Sequence, residues 1–371
     1  MVLIYSVVAL LGGNYLLYAF FELGNIRNIV RAAAAGGMLL LLLLRFADGK
    51  LRRRQVLMLG LAAWQILSGG TNGLNIAFLL ILSAAVAGNR DCKITTAVFW
   101  VMVALTAVMM TSLLLGIEEN TVYKVGTRTR HMLGFVNVNS ASMFLFTLLT
   151  SWLLYRDQNT KPADLIAVII LELIIFRFTD SRTPLLGIFM MAMLYLLLPR
   201  LPKKIVSVCC YAGVAFLFVS AYLWVLPAVN SEPVNKLLSL RPMYCDEYFR
   251  SQNALTFLLG GTRVKELDNG YLLLMFNAGV IVYTTVYFVI QSAIRNLLRQ
   301  RAYMKAAFVL TMLACSVLEG SALRPELLCA PVLWVVVLEA LPGEGPESIL
   351  IGYAEAWVAG HLNKAPESDA E

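Results

Sequence analysis

Residues 95–115, TTAVFWVMVALTAVMMTSLLL, lie in a stretch that carries no charged side chain between Lys93 and Glu118. A helix rises about 1.5 Å per residue, so a run of this length crosses the roughly 30 Å hydrocarbon core of a bilayer. Within that core every backbone N–H and C=O needs an internal partner, which a helix supplies. Further apolar runs lie near 2–20, 30–45, 55–70, 73–88, 139–155, 162–178, 184–199, 205–227, 270–290, 306–320 and 325–341. Together they predict an all-α polytopic membrane protein of about twelve transmembrane helices. Composition excludes a soluble domain of this size: 59% of the 371 residues are hydrophobic, 14% are charged, and the mean hydropathy is +0.74.

The first run has no basic leader and continues past Gly12 and Gly13, so it reads as a span rather than a cleavable signal. No internal repeat divides the chain. Residues 1–341 are expected to form one membrane domain. It is interrupted by a long external loop at 228–269, between the ninth and tenth spans, with short helices near 234–240 and from Cys245 toward Gly260 and Gly261. The aromatic and apolar content of the second helix suits either the membrane interface or a lid over a site. Residues 342–371 read as a cytoplasmic acidic tail around an amphipathic stretch at 349–362. The six cysteines show no paired metal spacing and fall mostly in apolar runs as small hydrophobes.

Alternate short loops collect the basic residues: Arg45, Lys50 and Arg52 to Arg54, then Arg90 and Lys93, Arg156 and Lys161, Arg200, Lys203 and Lys204, and Arg295, Arg299, Arg301 and Lys305. The positive-inside rule therefore predicts both termini inside. The opposite side keeps mostly arginines, including Arg128, Arg130, Arg177, Arg182, Arg241, Arg250, Arg263 and Arg324. A permanently charged fork of donors suits phosphate and pyrophosphate, so an anionic ligand on that face is expected as a set property. Any single one of these arginines equally suits lipid headgroups or a solvated loop.

Three segments on that side place polar groups at a helix start. They are Arg128-Thr-Arg-His131 leading to Gly-Phe-Val-Asn-Val-Asn (134–139), Arg177 to Pro184 with Ser-Arg-Thr-Pro at 181–184, and Asp-Asn-Gly-Tyr-Leu (268–272). On these motifs the chain resembles the Wzy-type polysaccharide polymerases and the related O-antigen ligases, membrane glycosyltransferases that act on undecaprenyl-pyrophosphate-linked sugars. The resemblance spans about residues 125 to 290, including the external loop. Two positions depart from the pattern: Asn137-Val138-Asn139 stands where many relatives have Asn-Pro-Asn, and Asp268 stands where ligases commonly carry histidine. The resemblance implies a GT-C-like fold in the bacterial cytoplasmic membrane with its site facing outward. It implies an undecaprenyl-pyrophosphate-linked oligosaccharide as substrate, the lipid bilayer as surroundings, and a chain-length regulator and a flippase of the same pathway as partners. No nucleic-acid partner is expected.

Transfer from a polyprenyl pyrophosphate needs cations that stabilise the departing pyrophosphate and a base for the acceptor hydroxyl. Arg182 with Arg128 or Arg130, and Arg263, are the expected pyrophosphate ligands, with Arg177, Arg241 and Arg250 also on that side. Asp268 is the expected base and His131 the alternative; Asp268 equally suits a helix cap, and His131 an interfacial hydrogen bond. Asn137, Asn139, Asn269 and Tyr271 are expected among the substrate-binding residues, the first two suiting either sugar binding or helix capping. The leaving group is already activated and no metal-spaced cluster lies on the outer side, so neither metal nor cofactor is expected. Glu172, within an apolar run, is expected to pair with a cation such as Arg177, a protonated carboxyl being the alternative. Rival readings are ligase-type transfer of finished glycan, a lipid-linked sugar flippase, and a non-catalytic scaffold. A transporter usually shows internal repeats and mid-membrane polar sites, and a scaffold does not need the arginines.

Overall fold

The computed structural model describes residues 2–47, 53–68, 70–86, 94–125, 128–223, 226, 231–237, 241–262, 264 and 267–341. The tail at 342–371 and Arg263 lie outside the described residues, as do the side chains of Arg128 and Arg241. The chain runs α1 (Val2–Ala19), α2 (Gly24–Ala47), α3 (Arg53–Ser68), α4 (Gly70–Val86), α5 (Ile94–Leu114), β1 (Val122–Val125), β2 (Arg128–His131), α6 (Val138–Arg156), α7 (Pro162–Thr179), α8 (Arg182–Leu197), α9 (Lys203–Leu223), α10 (Glu232–Leu237), α11 (Arg241–Arg250), α12 (Ala254–Leu259), α13 (Gly270–Arg299), α14 (Tyr303–Cys315) and α15 (Cys329–Glu339). Each apolar run read from the sequence carries a helix. Among the described residues, 6 helices are long and apolar enough to cross a membrane, in α1, α2, α5, α6, α9 and α13.

The surface is apolar where a water-soluble protein would be polar. Leu39, Leu40, Leu43 and Leu44 on α2, Ile170 and Ile174 on α7, Phe216 and Val219 on α9, and Phe288 on α13 are exposed, while Asn14, Thr147, Thr150, Asn277 and Thr311 are buried. Lipid as solvent removes the penalty for the first group and leaves the second to the helix interfaces. Glu172 is also buried, on the inner face of α7 with Leu165 and Val168. The expected pairing with Arg177 does not occur. Five residues along a helix the two side chains point to different faces, so Arg177 is exposed and neither carboxyl oxygen of Glu172 has a hydrogen-bond partner among the described residues.

Capping chemistry sets the starts of the helices that matter for the site. Asn137 accepts a hydrogen bond from the Ser140 N–H (2.7 Å) at the start of α6, and Asn269 accepts one from the Leu272 N–H (3.0 Å) at the start of α13. α7 ends where Asp180 turns left-handed (φ 49°), and α8 begins at Arg182.

Three features differ from the sequence expectation. The Arg128–His131 segment is not a loop but the second strand of an antiparallel hairpin, with Tyr123 opposite Arg130 and Lys124 opposite Thr129, so an otherwise helical chain carries one small sheet. The β-branched and aromatic residues Val122, Tyr123, Val125 and Thr129 favour that extended pairing. The helix expected from Cys245 to Gly260 is two helices, α11 and α12. Asn253 breaks it by taking an extended conformation and exchanging hydrogen bonds with Thr256, whose N–H it accepts at 2.9 Å. Finally, α14 stops at Cys315 and α15 starts at Cys329, so the connection is much longer than the gap between the runs at 306–320 and 325–341.

The loop also docks deeper than an external cover would. α13 is broken at Gly279 (φ 82°, ψ 162°), roughly 13 Å along its axis from Gly270. Beside the break, the Gly261 and Thr262 N–H groups donate to the Asn277 and Phe276 carbonyls, both at 3.1 Å. A β-carbon on Gly279 would lie 2.3 Å from the Leu258 oxygen, and one on Gly260 2.3 Å from the Asn277 oxygen. Both glycines therefore serve close backbone approach as well as positive φ. Gly279→Ala is expected to destabilise the protein by at least about 1–3 kcal/mol from backbone strain alone, seen as a lower thermal unfolding midpoint in detergent. An unchanged midpoint would contradict this docking.

Candidate functional site

The ends of several helices meet at one end of the bundle. The Val136 N–H donates to the Ala19 carbonyl (2.8 Å), joining α1 to the entry of α6, and the Gly270 N–H donates to the Ser316 carbonyl (2.8 Å), joining the start of α13 to the end of α14. Between them lies a cavity of about 380 Å³. Its charged lining comes from three places: Arg130 on β2, Asp268 before α13, and Glu319 and Arg324 in the connection between α14 and α15. Tyr15, Tyr123, Asn137, Asn139 and Ser140 complete the polar wall.

Arg130 is held rather than dangling. Its Nε donates to the Thr179 carbonyl at the end of α7 (3.0 Å) and its Nη2 to Asn139 Oδ1 on α6 (3.3 Å). A guanidinium has five N–H donors in a plane, so these two bonds fix the fork and leave donors for a ligand. The second polar segment of the sequence thus reaches the cavity through the Thr179 carbonyl.

The Asp-Asn-Gly-Tyr motif divides by role. Besides capping α13, Asn269 donates through Nδ2 to the Val317 carbonyl (3.0 Å), and Tyr271 is buried with its hydroxyl donating to the Leu313 carbonyl (2.9 Å). Gly270 lies against Ser316 and Glu319, where a β-carbon would come within 3.3 Å of the Glu319 backbone carbonyl oxygen. Asn269 and Gly270 therefore pin the start of α13 to the α14–α15 connection, and Tyr271 pins it to α14 itself. Asp268 is the one that lines the cavity, on the wall that also carries Glu319. Asn269→Ala removes the cap and the tie together. It is expected to cost about 1–2 kcal/mol, the cap alone contributing about 1, with a matching fall in the thermal midpoint. A neutral substitution would mean that Val317 holds no part of this wall.

The other expected site residues lie elsewhere among the described residues. Arg182, the first residue of α8, is exposed, as is Arg177, and neither lines the cavity. His131 sits at the end of β2 with Nδ1 3.0 Å from the Asn120 side-chain nitrogen and its ring edge-on to Phe178, outside the cavity. Arg250 is exposed on α11 and pairs with Asp246 at 2.9 Å. Of the described residues of the loop at 228–269, only Asp268, at its end, lines the cavity.

Two lining groups were not singled out from the sequence. Glu319 falls inside the run at 306–320, which reads as a span, and Arg324 counts only as one cation among many. The signal was present in the polar and turn-forming residues Ser316, Glu319, Gly320 and Ser321, which argue for an earlier helix end. Among the described residues no group of three or more His, Cys, Asp or Glu side chains gathers to hold a metal ion. Two guanidiniums and two carboxylates around one cavity can bind a polyanion and accept a proton within the same space. Comparison with family models, curated proteins and solved structures finds no match, so the cavity's own chemistry carries the functional reading.

Proposed function

We propose that the chain is a membrane glycosyltransferase that polymerises polyprenyl-pyrophosphate-linked oligosaccharide units. The observation that carries this reading is the cavity shared by Arg130, Arg324, Asp268 and Glu319 at one end of apolar helices. In the reaction, the acceptor sugar hydroxyl attacks the anomeric carbon, the bond from that carbon to the pyrophosphate oxygen breaks, and the hydroxyl proton passes to a base. Arg130 and Arg324 stabilise the charge that builds on the departing pyrophosphate. Asp268 accepts the proton. Asn137 and Asn139, at the cavity wall, offer amide groups to sugar hydroxyls.

This reading takes over the resemblance to polysaccharide polymerases and places the chain in the bacterial cytoplasmic membrane, with about twelve spans in a GT-C-like arrangement and the cavity on the outer side. A chain-length regulator and a flippase are the partners it implies. Ligase-type transfer uses the same bond changes with a different acceptor. A flippase would use the same charges without breaking a bond. The test is to give purified protein a lipid-linked repeat unit and measure released polyprenyl pyrophosphate against glycosidic bonds formed. One lipid pyrophosphate per bond supports transfer; lipid moved across vesicles with none released would support transport instead.

A further inference from the structure

The connection between α14 and α15 separates two cavities. Arg324 and Leu327 line the larger one, whereas Pro325 and Glu326 line a second cavity of about 190 Å³ with Arg31, Asn28 and Asn75. Glu326 is buried and carries an ion pair to Arg31 of α2, and Arg27 of the same helix reaches the same carboxylate oxygen at 3.5 Å. Arg31 also donates to Asn75 Oδ1 of α4 (3.1 Å), and the Arg27 guanidinium lies 4.2 Å from the Tyr18 ring centre. The connection is held on its other flank too. Trp334 Nε1 donates to the Ala322 carbonyl (2.9 Å) within the 3₁₀ turn Gly320–Leu323, and Leu328 abuts Gly12 of α1.

We propose that Glu326 is a positioning residue: its clamp to Arg27 and Arg31 fixes residues 324–327 so that Arg324 stays aimed into the larger cavity. Pro325 between the two makes the coupling stiff, because its ring fixes φ and leaves little freedom to absorb a shift of Glu326. Ion pairs in weakly polar surroundings hold geometry because few solvent dipoles compete for them. The catalytic consequence rests on the glycan-transfer reading; the geometric one does not.

The experiment compares the full-length protein with Glu326→Gln, with and without Arg324→Ala. The first readout is activity-independent: the rate at which phenylglyoxal modifies Arg324, followed by mass spectrometry. The second is the rate of chain elongation on lipid-linked repeat units. A several-fold change in Arg324 modification, with elongation slowed roughly 10- to 100-fold in the Arg324 background and no further loss when Arg324 is alanine, supports positioning. Should Glu326→Gln fail to fold, Glu326→Asp keeps the charge, shortens the reach by one methylene, and is expected to show the same pattern more weakly. Unchanged Arg324 reactivity, or an equal elongation loss in both backgrounds, overturns the proposal. Altered Arg324 reactivity in a protein with no elongation activity even in wild type supports the clamp and counts against glycan transfer.

Discussion

Asp268→Asn is expected to slow chain elongation by roughly 10²- to 10⁴-fold, the range for losing a positioned general base. The substitution is nearly isosteric and removes the carboxylate's charge together with its ability to take a proton. Asn269 and Gly270 keep the backbone of this segment tied to the α14–α15 connection and Tyr271 ties it to α14, so the fold should survive. Thermal stability is therefore expected to stay close to wild type while the elongation rate collapses. His131→Asn, which alters a side chain outside the cavity, is expected to have a small effect, and the contrast between the two distinguishes the two bases open from the sequence. A large loss in His131→Asn with a mild one in Asp268→Asn would reverse the assignment.

Arg130→Ala and Arg324→Ala are each expected to slow elongation by roughly 10²- to 10³-fold, the usual consequence of removing one donor from a developing anion. Charge on the leaving pyrophosphate grows toward the transition state, so kcat should fall more than KM rises. Arg130→Lys should recover only part of the rate. Lysine keeps the charge but cannot span the Thr179 carbonyl and Asn139 Oδ1 with a planar fork. Arg182→Ala is the control: an exposed residue outside the cavity, expected to act only weakly. If Arg182→Ala abolished elongation while Arg130→Ala did not, the pyrophosphate would have to bind outside this cavity.

The membrane class was legible because hydrocarbon imposes one rule on every backbone group, and runs such as 95–115 answer it without help from tertiary context. The polar motifs that carry Asp268 and Arg130, which line the cavity from just before α13 and from strand β2, were also legible. Glu319 was not, because a hydropathy reading extends the fourteenth helix over any polar residue that a flanking apolar run can absorb. Arg182 drew attention for its neighbours in sequence, but the left-handed turn at Asp180 starts α8 in a direction that leaves the guanidinium on the surface. The strand at Arg128–His131 depends on pairing with residues 122–125, a partner that no single-segment reading supplies. The break in α13 shows the same limit. Gly279 reads as an ordinary membrane-helix glycine until the Leu258 oxygen is found where its β-carbon would be.

The most direct measurement is product length on a gel after purified protein is incubated with lipid-linked repeat units, run side by side for wild type, Asp268→Asn, Arg130→Ala and Arg182→Ala. Glycan transfer in this cavity predicts a ladder of lengthening products from wild type and Arg182→Ala, and none or only traces from the other two. A wild-type protein that yields no ladder, or a ladder that survives both Asp268→Asn and Arg130→Ala unchanged, would contradict it.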